Sequence, residues 1–155
     1  MFLYFTSWID LMTIKHQNAF KIYKKIEKGN DLQKSPYEAV YSVLTVLHRN
    51  IQLMIIDVDK KKAFLITKQK KELYEVQKSL TKYLVRSLTS IYALQTSLNF
   101  EKGGIIATNL FQLYEFCRLQ IINSFTKNEN KSLKKASESL QEIIHAWSQM
   151  EKNHD

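Results

Sequence analysis

Residues 96–125 read TSLNFEKGGIIATNLFQLYEFCRLQIINSF. Gly103 and Gly104 are two of only three glycines in the 155 residues, and they stand between two long runs of apolar periodicity. Glycine enters φ > 0 without a Cβ penalty, so the pair is expected to reverse the chain between two antiparallel helices. Beyond it, Ile106, Leu110, Leu113, Cys117, Ile121 and Ser124 recur at three- and four-residue steps, which is one face of a helix.

The same period extends in both directions. Upstream, Leu73, Val76, Leu80, Tyr83, Ser87, Leu88, Ile91, Leu94 and Leu98 form a regular seam suited to packing against neighbouring helices. Further back, Ser35-Pro36-Tyr37-Glu38 has the residues of a helix start: a serine cap, proline at the first helical position and glutamate two positions later to close a capping box. Val40, Val43, Leu44, Leu47, Ile51, Met54, Ile55 and Val58 follow as its apolar stripe. The turn between these two helices is expected within DVDKKKAFLITKQKK, residues 57–71, where neither glycine nor proline marks it. Downstream, a last helix starts near Lys131, with Leu133, Ala136, Leu140, Ile143, Trp147 and Met150 on one face.

The chain opens on MFLYFTSWIDLMTI, an apolar stretch interrupted by Asp10. It lacks a basic leader and a small-residue cleavage site, and is shorter than the ~20 residues of a transmembrane helix. It is expected to be either a helix packed on the domain or a translated upstream extension, with Met12 as the alternative start. Gly29, Asn30 and Asp31 read as a linker.

Apolar residues make up 45% and charged residues 25% of the chain, the mix of one ordinary globular domain with a substantial core. Three glycines and one proline agree with long helices and short connections. The net charge of +8 comes almost wholly from lysines spread along the chain, without an arginine cluster or a nucleic-acid motif. A solvated helical surface accounts for it. The single cysteine, Cys117, excludes an internal disulfide and reads as a small core residue.

Four histidines are scattered with no i, i+4 pair, which argues against a metal site. There is no phosphate-cradling glycine loop and no G-x-S-x-G elbow. No catalytic constellation, cofactor or small-molecule substrate is expected. What stands out is apolar supply beyond one face per helix: Tyr37, Tyr41, Tyr74, Tyr92, Phe111 and Phe116, with Leu53, Ile56, Val85, Ile105, Leu119 and Ile122. Either these form a binding surface, or the N-terminal helices cover them.

The central stretch resembles the turn and fourth helix of the flagellin export chaperone (FliS) family, whose pattern is close to SLD-x-E-K-G-G-E-I-A-x-N-L-x-x-L-Y-D-Y. Ser97, Leu98, Asn99, Glu101, Lys102, Gly103, Gly104, Ile106, Ala107, Asn109, Leu110, Leu113, Tyr114, Glu115 and Phe116 carry the match. Shorter anchors are Asn18-Ala19-Phe20-Lys21-Ile22-Tyr23, the S-P-x-E at Ser35, Arg49, and Ala146-Trp147 near the C-terminus. The chain departs from the family where Leu44-Thr45-Val46 replaces Tyr-Asp-Gly, where Leu119-Gln120 replaces an arginine pair, and in its basic charge. The resemblance also requires about a dozen extra residues between Ser35 and Asn99. Divided between two antiparallel helices, these lengthen the hairpin by about 9 Å into a protruding, lysine-rich tip.

The resemblance and the periodicity together imply an all-α fold: an antiparallel four-helix bundle over residues 35–151, one or two short N-terminal helices packed on it within 1–34, and a frayed tail at 152–155. The resemblance implies a cytoplasmic, non-enzymatic chaperone that binds the disordered C-terminal segment of flagellin, prevents its premature polymerisation and escorts it to the flagellar export apparatus. A monomer or weak homodimer is expected, with no membrane span and no nucleic acid. By the same resemblance, client contact or gating is expected at Phe20, Tyr23, Leu44, Leu47, Tyr92, Leu110 and Tyr114. For Phe20 and Tyr23, anchoring of a short helix is an equal reading of their spacing. The competing reading of the whole chain is a helical adaptor or nucleic-acid-associated protein that uses its basic surface.

Overall fold

A computed structural model describes residues 36–152, which form four α-helices with no strand among them: α1 (Pro36–Thr67), α2 (Lys70–Thr96), α3 (Phe100–Lys127) and α4 (Lys131–Lys152). Each packs on its neighbour in sequence, and α4 closes back on α1, giving an antiparallel bundle. The expected N-terminal helices, Phe20, Tyr23, the Ser35 cap, the Met150 side chain and residues 153–155 lie outside the described residues.

The predicted stripes supply the core. Val40, Val43, Leu44, Leu47, Ile51, Met54 and Val58 of α1 are buried against Leu80, Ile91 and Leu94 of α2 and Leu133, Ala136, Leu140 and Trp147 of α4. Over Tyr37–Thr67 the first helix is long and apolar enough to cross a bilayer. Its apolar face instead fills the bundle, with Leu44, Leu47, Ile51 and Met54 wholly removed from solvent. Tyr37 and Tyr41, which fall off the main stripe, are half-buried against the same core.

None of the three turns between these helices contains a glycine, and two of them share one device. Lys68 at φ 55° and Asn128 at φ 53° both take the left-handed conformation that ends a helix. In each, the next amide reaches back five residues, Gln69 N to Phe64 O at 3.1 Å and Glu129 N to Ser124 O at 3.2 Å, and satisfies an orphan carbonyl. The first turn thus falls inside the expected 57–71 window.

The α2–α3 turn differs from the expectation. The chain reverses at Ser97–Asn99, ahead of the glycine pair. Ser97 Oγ donates to Leu94 O at 2.7 Å, and the Asn99 side chain caps α3 by accepting from Lys102 N at 3.2 Å. Gly103 is already helical, its amide bonded to Asn99 O at 2.8 Å. Gly104 alone leaves the helix (φ 49°, ψ −130°), kinking α3 after its first turn. The conformational freedom of glycine is therefore used to bend a helix, not to join two.

The α1–α2 hairpin overhangs the rest of the bundle. His48 on α1 bonds Ser137 on α4 at 2.9 Å. Because those helices run antiparallel, the α3–α4 turn at Asn130 is level with about the fifty-fifth residue of α1. Thr67 lies about twelve residues further along, or ~18 Å at 1.5 Å per residue. Asp57, accepting from Ser79 Oγ at 2.5 Å, joins the two arms near the base of this projection.

Candidate functional site

The helix α3 is apolar on nearly every side. Its inward stripe is Ala107, Leu110, Tyr114, Cys117, Ile121 and Ser124, all buried. Ile105, Phe111, Phe116, Leu119 and Ile122 point elsewhere and are exposed, Ile105 by 73% and Leu119 by 51%. A helix with apolar residues all round normally has packing partners all round. Among the described residues α3 has them only on its inner side, from α2 and α4.

Next to it, Val85 and Tyr92 lie two turns apart on α2, both exposed, Tyr92 by 57%. The two outer faces are joined where Gln95 Nε2 donates to Glu115 at 3.3 Å. Helical spacing then sets Phe111, Leu119 and Ile122 around Glu115 on α3 and sets Tyr92 one turn from Gln95 on α2. Near the start of α3, Phe100 and Phe111 meet edge to face with ring centroids 5.9 Å apart. The result is an apolar strip along the α2–α3 face.

A small polar cluster interrupts the strip. Arg118 Nε donates to Glu115 at 2.8 Å, and this hydrogen bond, with the guanidinium charge and Gln95, holds the Glu115 carboxyl below the usual carboxylate range. Both side chains are solvent-accessible, so the pair is a polar marker on the surface and not a buried charge. A strip of this kind suits an amphipathic helix whose anchors fall at i, i+3, i+4 and i+7.

Of the residues expected to meet a client, Tyr92 lies in the open on this face. Leu44, Leu47 and Tyr114 have no exposed surface, and Leu110 has 8%. These four are interior packing and offer almost no surface to a partner while the helices stay together. Leu44, Leu47 and Leu110 lie on the inward stripes that periodicity itself gives. For Tyr114 the reason is the phase of α3. The stripe read from the sequence (Ile106, Leu110, Leu113, Cys117, Ile121, Ser124) and the buried one (Ala107, Leu110, Tyr114, Cys117, Ile121, Ser124) share four of six positions. Apolar residues outside both leave periodicity unable to choose at the other two. Ile106 and Leu113 consequently border the core, while Ala107 and Tyr114 fill it. The buried Tyr114 hydroxyl has no partner among the described residues, and burial pushes its ionisation far above the usual phenol range.

No three His, Cys, Asp or Glu side chains converge on a possible metal position among the described residues. A cleft of about 390 Å³ between the arms of the α1–α2 hairpin is lined by Asp57, Lys60, Phe64, Lys71, Glu72, Glu75, Val76 and Ser79. It holds no nucleophile–base pair, and Lys60 already faces Asp57 at 3.8 Å.

Comparison with known proteins assigns the chain. The sequence model of the family described as Flagellar protein FliS matches residues 66–154, the end of α1 and all of α2, α3 and α4. The flagellar secretion chaperone FliS of Vibrio cholerae serotype O1 is 40% identical over 67 residues, covering 43% of this chain and 49% of that protein. The flagellar secretion chaperone FliS of Salmonella typhimurium is 33% identical over 57 residues, covering 37% of this chain and 42% of that protein. The chain thus spans about half the length of the curated relatives it matches. The family match takes in the glycine kink, the Asn99 cap and the apolar outer face of α3, and the chain belongs to the flagellar protein FliS family.

Proposed function

We propose that this protein is a cytosolic flagellar secretion chaperone whose client docks on the α2–α3 face. The client is the disordered C-terminal segment of flagellin, taken up as amphipathic helix and released intact to the export apparatus. The observation that carries the reading is the double-sided apolarity of α3, one side in the core and the other, with Val85 and Tyr92 of α2, uncovered. Family membership and the names of the two relatives support the chaperone role.

The physical logic requires no catalysis. A segment that is disordered when free gives up entropy on docking, so its affinity per unit area is low and release remains easy. Covering its apolar anchors meanwhile keeps them from pairing with other subunits. In this reading Tyr92 contacts the client directly, whereas Leu44, Leu47, Leu110 and Tyr114 fix the spacing of the helices on which it lies. Phe20 and Tyr23 would act as a displaceable cover of the same face.

Circular dichroism of the protein mixed with a flagellin C-terminal peptide tests the reading. The mixture is expected to show more helix than the sum of its parts, with little dependence on salt. Additive spectra, or binding to duplex DNA that falls steeply with salt, would replace the chaperone by a basic-surface adaptor.

A further inference from the structure

The apex of the α1–α2 hairpin has a composition unlike the rest of the surface. Residues 60–71 read KKKAFLITKQKK, six lysines with no acid among them. Leu65 and Ile66 lie at the end of α1, exposed by 50% and 82%. Lys60, Lys61 and Lys62 precede them, and Lys68, Lys70 and Lys71 follow at and across the turn, so two exposed aliphatic side chains lie among six lysines. This apex stands ~18 Å beyond the α3–α4 turn. The shoulder beneath it, on the same end of the bundle, adds Lys127, Lys131, Lys134 and Lys135, all exposed.

We propose that this apex docks the protein on an anionic lipid bilayer. The charge selects a negative surface, but charge alone would suit any polyanion. What favours a membrane is the position of the aliphatic residues. They are exposed within one turn of the tip of a narrow projection, beside the lysines of the turn, so aliphatic and cationic side chains meet a bilayer together. Stable peripheral attachment takes two signals, and a polybasic cluster beside an apolar anchor provides both. An acidic protein surface would pair with the lysines and leave Ile66 in water. The family match begins at residue 66, inside the apex, so Lys60, Lys61, Lys62 and Leu65 lie before it and Ile66, Lys68, Lys70 and Lys71 within it.

Flotation of the full chain with vesicles tests the proposal. Vesicles of phosphatidylcholine containing about a third phosphatidylglycerol are expected to carry the protein, pure phosphatidylcholine vesicles are not, and raising salt should weaken binding. Each lysine near an anionic surface contributes about a fivefold gain in partitioning, so Lys62→Gln, Lys70→Gln and Lys71→Gln together should lower it on the order of a hundredfold. Leu65→Ser with Ile66→Ser, all charges intact, should lower it on the order of tenfold. Thermal melting and flagellin-peptide binding should be unchanged in both variants, which separates this result from the client reading. Equal binding to neutral vesicles, or no binding at all, would overturn the proposal. So would wild-type vesicle affinity in the Leu65/Ile66 variant, with duplex DNA or polyglutamate displacing the lipid equally well, because the apex would then be a site for polyanions or acidic proteins.

Discussion

Tyr37 and Trp147, 110 positions apart, hold each other's backbone: the Tyr37 hydroxyl donates to Trp147 O at 2.5 Å, and Trp147 Nε1 faces Tyr37 O at 3.4 Å. Their rings stack with centroids 5.6 Å apart. The pair fastens the beginning of α1 to the end of α4, and so closes the bundle. Tyr37→Phe should cost about 1 kcal/mol, the value of one hydrogen bond. Trp147→Ala should cost about 3–5 kcal/mol through the cavity it leaves. Urea unfolding of both single variants and the double variant should give less than the sum, since each change removes the same contact.

Gly104 separates backbone strain from crowding. A Cβ built there meets nothing within 4 Å, yet φ 49° with ψ −130° is closed to L-residues. Gly104→Ala should therefore destabilise by about 1–3 kcal/mol with no steric clash to relieve. Gly103→Ala, at a residue outside the positive-φ region, carries no such penalty. Equal melting temperatures for the two variants would contradict the kink.

His48 makes stability depend on pH. It bonds the Ser137 hydroxyl, and burial lowers its pKa below the ordinary 6.5. The unfolded chain thus takes up this proton more readily than the folded one, and acid favours unfolding. Stability should begin to fall as pH drops through about 6.5, and the loss should level off below the folded-state value. Melting temperatures between pH 5 and 8 should lose this component in His48→Gln.

Cys117 should be inert while the bundle is closed. Its thiol is buried and pushed up to about 12 by desolvation, so almost no thiolate forms near neutral pH. Iodoacetamide at pH 8 should label it only as fast as the protein unfolds, and labelling should become rapid in denaturant. Reaction of the native protein at the rate of a free thiol would contradict its placement between α3 and α4.

The inward stripes of α1, α2 and α4 were legible, although α1 and α2 also carry exposed apolar residues off those stripes, Ile56 and Tyr92 among them. On α3 four of the six stripe positions were legible, with Ile106 and Leu113 read in place of Ala107 and Tyr114. Apolar residues beyond its inner stripe allowed Tyr114, a core residue, to be read as part of a binding surface, and the same surplus is what marks the outer face of α3. Turns were legible where side-chain chemistry is strong and hidden where it is generic. Lys68 closes α1 in the left-handed conformation with nothing in its residue type to announce it. Gly103-Gly104 announced a turn that the chain makes at Ser97–Asn99, four residues before Gly103, because glycine signals conformational freedom without saying which use is made of it. The exposed Val85, Tyr92, Phe111, Leu119 and Ile122 were visible as off-stripe residues. That they share one surface depended on the Gln95–Glu115 contact, which no single-helix pattern contains.

The α2–α3 face is tested most directly by calorimetric titration of a flagellin C-terminal peptide into the wild type and into a variant carrying Val85→Ser, Tyr92→Ser and Ile122→Ser. All three residues are exposed, so the variant should fold and melt like the wild type. Its affinity should drop by more than about tenfold, the equivalent of 1.4 kcal/mol of lost apolar contact. An unchanged Kd in a correctly folded variant would contradict docking on this face.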